Sequence, residues 1–475
     1  MDVSSLQSRC RGVMAQPGDP AYEAMVYGDL WNRVIPERGP ELVVRVEEEQ
    51  DVKAVLRFAR ERGLKVVVRG GGHNWCQPTL RQGGILIDLS CLNRVLSIDA
   101  EQRRAVVQPV VSNRDLQAAL NAQGLTFPSG HCPQVKLSGY LLGGGMAWNQ
   151  GVWGAGTESV EAIDMVTPAG EFLQASRDHH ADLFWAARGA GPGFFGVVTA
   201  FHLRLYPLPS AILGSTFYFP LSAAGTVGDW LASLAPSLSA SIELSLFLLQ
   251  APAALQEAAR SDGGIVCMVT AVSFTDSVAE GRRQLTPLES PPTPPLSQEC
   301  AVPLDFPRLF DASGSLWPEG QRSRVEARFS MASPGDLARA VVSSMQRCPS
   351  PTTLVLFTVF TGPCPGPEGG ATAYSMRARV YGGPWTMWLD LAQDAENMAW
   401  HQDCIDRLRP YTVGSYIGES DFIRRPATAV EAFLPQCWSR LADLRSLHDP
   451  DRLFFDFFEG LAEPALPSQT GSSCL

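Results

Sequence analysis

The chain has 475 residues, 45% of them hydrophobic and 18% charged, with a net charge of −11 and a pI near 5.2. Such a chain folds around a sizeable core, has room for two or three domains, and is not a disordered polypeptide. Its acidity argues against nucleic acid or an anionic membrane as partner. No apolar run reaches the ~18 residues of a membrane span, and Met1 to Pro20 lacks an apolar secretory core, so the expected location is the cytoplasm.

In chain order, residues 42–46 predict a strand. Residues 51–62 predict a helix with Val52, Val55, Leu56 and Ala59 on one face and Gly63 as its stop. Residues 65–68 predict the next strand, which runs straight into the turn Gly70-Gly71-Gly72. Short strands follow at 85–89 and 105–110, then a helix over 113–123 stopped by Gly124. Strands at 159–166 and 172–174 flank the turn Pro168-Ala169-Gly170. A helix over 182–188 leads through Gly189-Ala190-Gly191-Pro192-Gly193 into a strand over 197–205. Pro207 and Pro209 mark a boundary.

Beyond it the texture changes. Apolar strands at 242–249, 265–272 and 353–360 are separated by proline-rich loops at 290–295 and 362–367. This pattern predicts a second α+β domain with long surface loops. Residues 429–447 predict a helix, followed by Asp449-Pro450-Asp451 and an apolar stretch over 453–458. The chain thus divides into 1–209, 210–424 and 425–475. It carries no internal repeat and no heptad pattern.

The eleven cysteines are odd in number and form no CxxC pairs, so no zinc ribbon, redox pair or other metal site is expected. Most of them, including Cys91, Cys267 and Cys404, read as small buried hydrophobes. Two stretches carry chemistry instead: Arg69-Gly70-Gly71-Gly72-His73-Asn74-Trp75, and Gly130-His131-Cys132 running on to Leu142-Gly143-Gly144-Gly145. Each joins a glycine-rich turn to a side chain able to form a covalent bond, one through a ring nitrogen and one through a thiolate. Glycines let the backbone approach a cofactor and present N–H groups to its phosphates. Neither cluster is a Rossmann fingerprint, which needs a strand, then GxGxxG, then a helix. After Gly70–Gly72, His73-Asn74-Trp75-Cys76-Gln77-Pro78 is no helix start, and the glycine cluster Gly189–Gly193 follows a helix, not a strand, and is interrupted by Pro192. Several glycine loops without that fingerprint favour a fold that lays an extended dinucleotide between loops.

On these residues the chain resembles the FAD-linked oxidases of the vanillyl-alcohol oxidase superfamily, and within it the berberine-bridge-enzyme-like branch with doubly attached FAD. The likeness is densest over 42–209. Arg69 to His73 is similar to the family's first pyrophosphate loop, Ser138 to Gly145 to the second, and Leu183 to Thr199 to the third. The resemblance implies an α+β protein: a two-part PCMH-type FAD-binding domain, then a substrate domain with an antiparallel sheet covered by helices, with the C-terminal segment returning to the first domain. It implies FAD attached through its 8α carbon to His73 and through C6 to Cys132. Arg69, Gly70, Gly71, Gly72, Asn74, Val135, Ser138, Gly139, Leu142, Gly143, Gly144, Gly145, Gly196, Val197 and Val198 are then the further cofactor-binding residues.

Taken alone, His73 reads as a loop histidine satisfied by backbone groups and Cys132 as an inert thiol; Cys76 is the one competing thiol near a glycine turn. Attack on the flavin ring needs a thiolate, so positive charge from His131 or Lys136, or nearby N–H groups, is expected to lower the pKa of Cys132. Val135 is expected to face the oxygen-reacting edge of the ring, where a modest side chain goes with an oxidase. The sequence also departs from the family. Lys136 stands where a glycine is common, and the stretch from Asp449 to Glu459 keeps the Asp-Pro and Phe454 but lacks the family's asparagines.

Oxidising a C–OH group requires a positioned base for the hydroxyl proton. The family's YxNYxD strand resembles Gly414 to Asp421, with Tyr416 as first tyrosine, Gly418 in place of the asparagine and Glu419 in place of the second tyrosine. Tyr416 is the expected base and Glu419 the next candidate. Tyr374 and Arg377 are expected to line the cleft and orient substrate, while Trp317, Trp385 and Trp388 read as core more than as stacking platforms. The implied activity is an oxidase that moves hydride from an alcohol, hemiacetal or amine carbon of a secondary metabolite or saccharide to FAD. Dioxygen, the second small-molecule partner, is reduced to hydrogen peroxide. The competing readings are an oxidative cyclase or desaturase in natural-product biosynthesis, an NAD(P)H-fed reductase, and a non-catalytic flavin-binding protein.

Overall fold

The computed structural model describes residues 1–362, 370–422, 425–457 and 459. Its first layer grows from the β-α-β unit. Strands Leu42–Arg45 and Val66–Arg69 run parallel to Ile85–Asp88, which lies between them, and Val13–Ala15 pairs antiparallel at the edge. Helix Glu49–Arg62 connects the first two strands and reverses at Gly63 (φ 63°). Successive strand residues face opposite sides. Val44 and Ile87 pack with Val52, Val55 and Leu56 of the helix, while Val43 and Leu86 pack with Met25 and Leu30. Burial on both faces is why these strands are continuously apolar.

The second layer is an antiparallel sheet in the order Val95–Asp99, Arg104–Val107, Val197–Arg204, Val160–Val166, Phe172–Ser176. Helices Asn113–Asn121 and Ala181–Ala187 bury Leu116, Leu120, Leu183 and Phe184 in the core that also holds Phe127 and Phe201. The chain end joins the first layer. Val66 N–H donates to Leu453 O (2.8 Å) and Phe455 N–H to Val66 O (3.0 Å), and the Asp449 carboxylate accepts from Leu453 N–H and Phe454 N–H (2.8 and 3.0 Å).

The third layer is a nine-stranded antiparallel sheet. Its central strands are Ala211–Pro220, Ile265–Thr275, Ile242–Gln250, Leu354–Val359 and Val380–Trp388, in that order. Helices Ala224–Leu234, Pro334–Met345 and Asp394–Leu408 cover one face, where Leu231, Val341 and Trp400 pack on Phe217, Leu246 and Phe357. The other face carries Phe247, Tyr381 and Trp385 and packs against Trp75 of the first layer. This is the expected α+β architecture.

Three local expectations are corrected. The single helix over 429–447 is two elements, the 3-10 turn Pro426–Ala432 and the helix Pro435–His448. Pro435 has no N–H to donate and holds Leu434 extended (φ −65°, ψ 144°), which resets the chain there. Part of the second glycine loop is a short helix, Leu137–Gly143. Strand Val380–Trp388 escaped the sequence reading because Gly382, Gly383 and Pro384 inside it resemble a turn. Past Gly362, the loop expected over 362–367 lies outside the described residues, as does Phe458. Among the described residues the cysteines are free thiols, no group of side chains forms a metal site, and no helix is long and apolar enough to cross a membrane.

Candidate active site

A cleft lies where the strand end Arg69, the start of helix Leu137–Gly143 and strand Val197–Arg204 meet. The glycines are needed because the walls touch. A Cβ on Gly70 would sit 1.8 Å from Ser138 Oγ, and one on Gly71 2.2 Å from Lys136 Cγ. Gly139 by contrast faces open space. Gly72, Asn74, Leu142, Gly143, Gly191, Gly196 and Val198 also line the cleft. Four expected cofactor residues do not, Cys132 among them. Val197 points to the opposite face of its strand and packs with Val66 and Val166. Gly144 and Gly145 adopt positive φ (123° and 82°) and lie beneath the rings of Tyr374 and Tyr140. Arg69 lines the cleft, but its guanidinium is spent on the carbonyls of Met25 and Val26 and on Asp88.

A second, larger cavity opens between this region and the large sheet. His73, Trp75, Val135, Tyr140, Tyr416 and Glu419 line both spaces and mark their junction. His73 stacks on Trp31 at 4.3 Å and meets Trp75 edge-on at 6.3 Å. Burial pushes its pKa down to about 4, so the ring is neutral at pH 7, and its Nε2 is buried with no partner among the described residues. A neutral imidazole with a free nitrogen is the form able to bond carbon. These two tryptophans were missed from sequence, although Trp75 lies two residues past His73.

Cys132 lines the larger cavity. Asn113 fixes its loop: Nδ2 donates to Cys132 O (3.1 Å) and the backbone N–H to Val135 O (3.0 Å). The expected lowering of its pKa is overturned. Burial, then the charge of Glu419, pushes the thiol up to about 12. Neither expected cation serves it. His131 lies 2.5 Å from Glu243 Oε1 and tilts over Trp148, while Lys136 packs on Gly71. Cys76 donates to Asn74 Oδ1 (3.1 Å) and lines neither space.

Strand Thr412–Ser415 delivers Tyr416 and Glu419 to the junction through a turn in which Tyr416, Ile417 and Ser420 are buried and Glu419 is half-buried. Ala327 N–H donates to Glu419 O (2.7 Å), and Asn74 Nδ2 reaches Gly418 O (3.2 Å). The Tyr416 hydroxyl oxygen accepts from Gly145 N–H (3.0 Å). Burial, then Glu419, raises its pKa far above that of an ordinary tyrosine, which makes it a poor base near neutrality. The Glu419 carboxylate accepts from Tyr381 O–H and is itself raised by burial. Burial thus moves both candidates upward, the hydroxyl away from neutrality and the carboxyl above the ordinary glutamate range.

Tyr374 and Arg377 line neither space, against expectation. Tyr374 packs on Gly144 and donates to Met146 Sδ (3.3 Å), and Arg377 pairs with Glu158 while lying over the Tyr374 ring. They brace the glycine loop. Trp317 and Trp385 line the larger cavity, whereas Trp388 is fully buried and donates to Asp394 (2.7 Å).

Residues 40–176 match the FAD binding domain family. The FAD-linked oxidoreductase nodO of Hypoxylon pulicicidum is 30% identical over 403 residues, 84% of this chain and 87% of the relative. Two solved structures share the fold. The 6-hydroxy-D-nicotine oxidase of Arthrobacter nicotinovorans has a TM-score of 0.81 at 22% identity, covering 96% of this chain and 99% of that one. BBE-like 1 of Physcomitrella patens has a TM-score of 0.82 at 18% identity, covering 96% and 98%. The chain belongs to the FAD-linked oxidoreductases of the vanillyl-alcohol oxidase superfamily. It is an FAD-dependent oxidoreductase acting on a small molecule. The touching glycine walls and the unpartnered His73 nitrogen fit that cofactor.

Proposed function

We propose that the protein is an oxidase for an alcohol, hemiacetal or amine carbon of a secondary metabolite or saccharide, with FAD held covalently by His73 and Cys132 and dioxygen as final acceptor. The observation that carries this reading is the junction of the two cavities, where His73, Val135 and Glu419 converge. In this reading residues 1–209 and the chain end hold the cofactor and residues 210–424 the substrate. FAD, when bound, accepts two electrons from the substrate carbon and passes them to oxygen.

The chain's own residues do the rest. Glu419 takes the proton from the substrate O–H or N–H, with Tyr381 O–H orienting the carboxylate. Tyr416 holds the Gly145 amide in place, and Asn74 ties the first glycine loop to the turn that carries Glu419. Trp31 and Trp75 keep water from the His73 side. Val135, half-buried at the junction, leaves room for dioxygen.

Anaerobic mixing of the holoprotein with alcohol and amine panels tests the reading. A substrate that bleaches the flavin, with one peroxide formed per turnover on readmission of air, supports it. Bleaching by NADPH and by no alcohol or amine contradicts it. Val135→Leu is expected to slow reoxidation by dioxygen several-fold while the bleaching rate stays within twofold, because the added methylene occupies space at the junction.

A further inference from the structure

The floor of the larger cavity carries a polar row of which the mechanism uses only the last member, Tyr381. The register of the large sheet pairs Glu299 with Thr216, Thr216 with Thr270, Thr270 with Ser245, Ser245 with Thr358, and Thr358 with Tyr381. Directly paired residues share a face of a sheet, and all six line the cavity. With strands about 4.8 Å apart, the row spans roughly 24 Å. It begins at exposed Glu299 and ends at buried Tyr381, whose hydroxyl donates to Glu419. The Ser245 and Thr358 hydroxyls lie 3.3 Å apart. Those of Thr216 and Thr270 have no protein partner among the described residues and face the cavity.

The neighbouring row on the same face is different. Tyr218, Met268, Phe247 and Leu356 pair in register two residues away and line the same cavity with ring and aliphatic surface. Charge is one-sided as well. The cavity wall holds Glu243, Glu299 and Glu419, and among the described residues no Lys or Arg. The His131 ring that lines it is bonded to Glu243. An anion entering this space would lose its hydration without gaining a counter-charge.

We propose that the hydroxyl row orients the substrate, and that the cavity takes an elongated, uncharged, fused-ring molecule with its oxygen substituents along one edge. The oxygenated edge lies on the row, the apolar body lies on the Phe247 side, and the reacting carbon lies at the Tyr381–Glu419 end. A linear saccharide, polar on every edge, fits this floor less well. The inference rests on the oxidase reading for which end reacts, and not for the row itself.

Equilibrium dialysis with the holoprotein tests it without turnover, using androstanediol, its monosulfate and maltotetraose as probes. Androstanediol is expected to bind, with the monosulfate and maltotetraose at least tenfold weaker. The double variant Ser245→Ala/Thr270→Val is expected to bind the diol about tenfold more weakly, since two hydrogen bonds are lost, with flavin content unchanged as evidence of folding. Thr270→Ser, which keeps a hydroxyl, is expected to bind like the parent. No binding of the diol, equal binding of the monosulfate, tighter binding of maltotetraose, or an unchanged affinity in the double variant each overturns the proposal. Failure of the oxidase reading shows elsewhere, as absent flavin bleaching in a protein that still binds the diol.

Discussion

Glu419→Gln is expected to slow substrate-dependent bleaching of the flavin by about 10²–10⁴-fold, the range lost when a positioned base is removed. The amide is nearly the same size and still accepts the Tyr381 hydroxyl through its carbonyl oxygen. The turn is held by the backbone bond from Ala327 N–H to Glu419 O, which the substitution leaves alone. The loss therefore reports proton abstraction, not folding. Tyr416→Phe has a different signature. It strips the acceptor from the buried Gly145 N–H, which costs about 1–3 kcal/mol of stability, and it changes the bleaching rate far less. The pH profile separates the two candidates independently. A base must be deprotonated, so the rate rises with pH through the pKa of the group that acts. With Glu419 that limb lies above the ordinary glutamate range, because burial raises its carboxyl, and Glu419→Gln removes it. With Tyr416 the limb lies above pH 10, because its hydroxyl is raised from the ordinary tyrosine value. Rapid-mixing kinetics on both variants across pH decide between them.

Replacing both anchors, His73→Ala with Cys132→Ala, is expected to leave a protein that releases all its flavin on denaturation, while each single variant retains it through one bond. The two sites start from unequal states. The His73 ring is neutral with a free nitrogen, whereas the Cys132 thiol is protonated at neutral pH. A thiol with pKa near 12 gains thiolate about tenfold per pH unit below that value. On adding FAD to flavin-free protein, retention in His73→Ala is therefore expected to rise steeply with pH, and retention in Cys132→Ala to change little between pH 7 and 9. Peptide mass after digestion reads both. Complete release of flavin from both single variants removes the two-anchor reading.

The frame of the cofactor cleft was legible because it rests on short-range signals. Strand 66–69 into Gly70, the Gly63 stop and the strand that follows Gly193 are each set by neighbours within a few residues. The substrate side was not, because its chemistry is assembled by register. Nothing near Ser245 in the chain shows that Thr358 will face it, or that Thr358 will sit beside Tyr381. Tyr374 and Arg377 misled for the same reason: they lie in irregular chain before strand Val380–Trp388, and where they face is set by Gly144 and Glu158, more than 200 residues away. Tyr416 and Glu419 were found together by motif, yet their order as bases depended on burial and on Tyr381, neither visible in the turn itself. Charge in sequence also misled at Cys132, since adjacent His131 turns to Glu243.

The most direct test of the account is the fate of the flavin when the wild-type holoprotein is denatured in acid and digested. The account predicts that the yellow colour stays with the polypeptide and that the FAD mass maps to two peptides cross-linked through His73 and Cys132. Flavin recovered wholly in the supernatant, with both peptides at their unmodified masses, contradicts it.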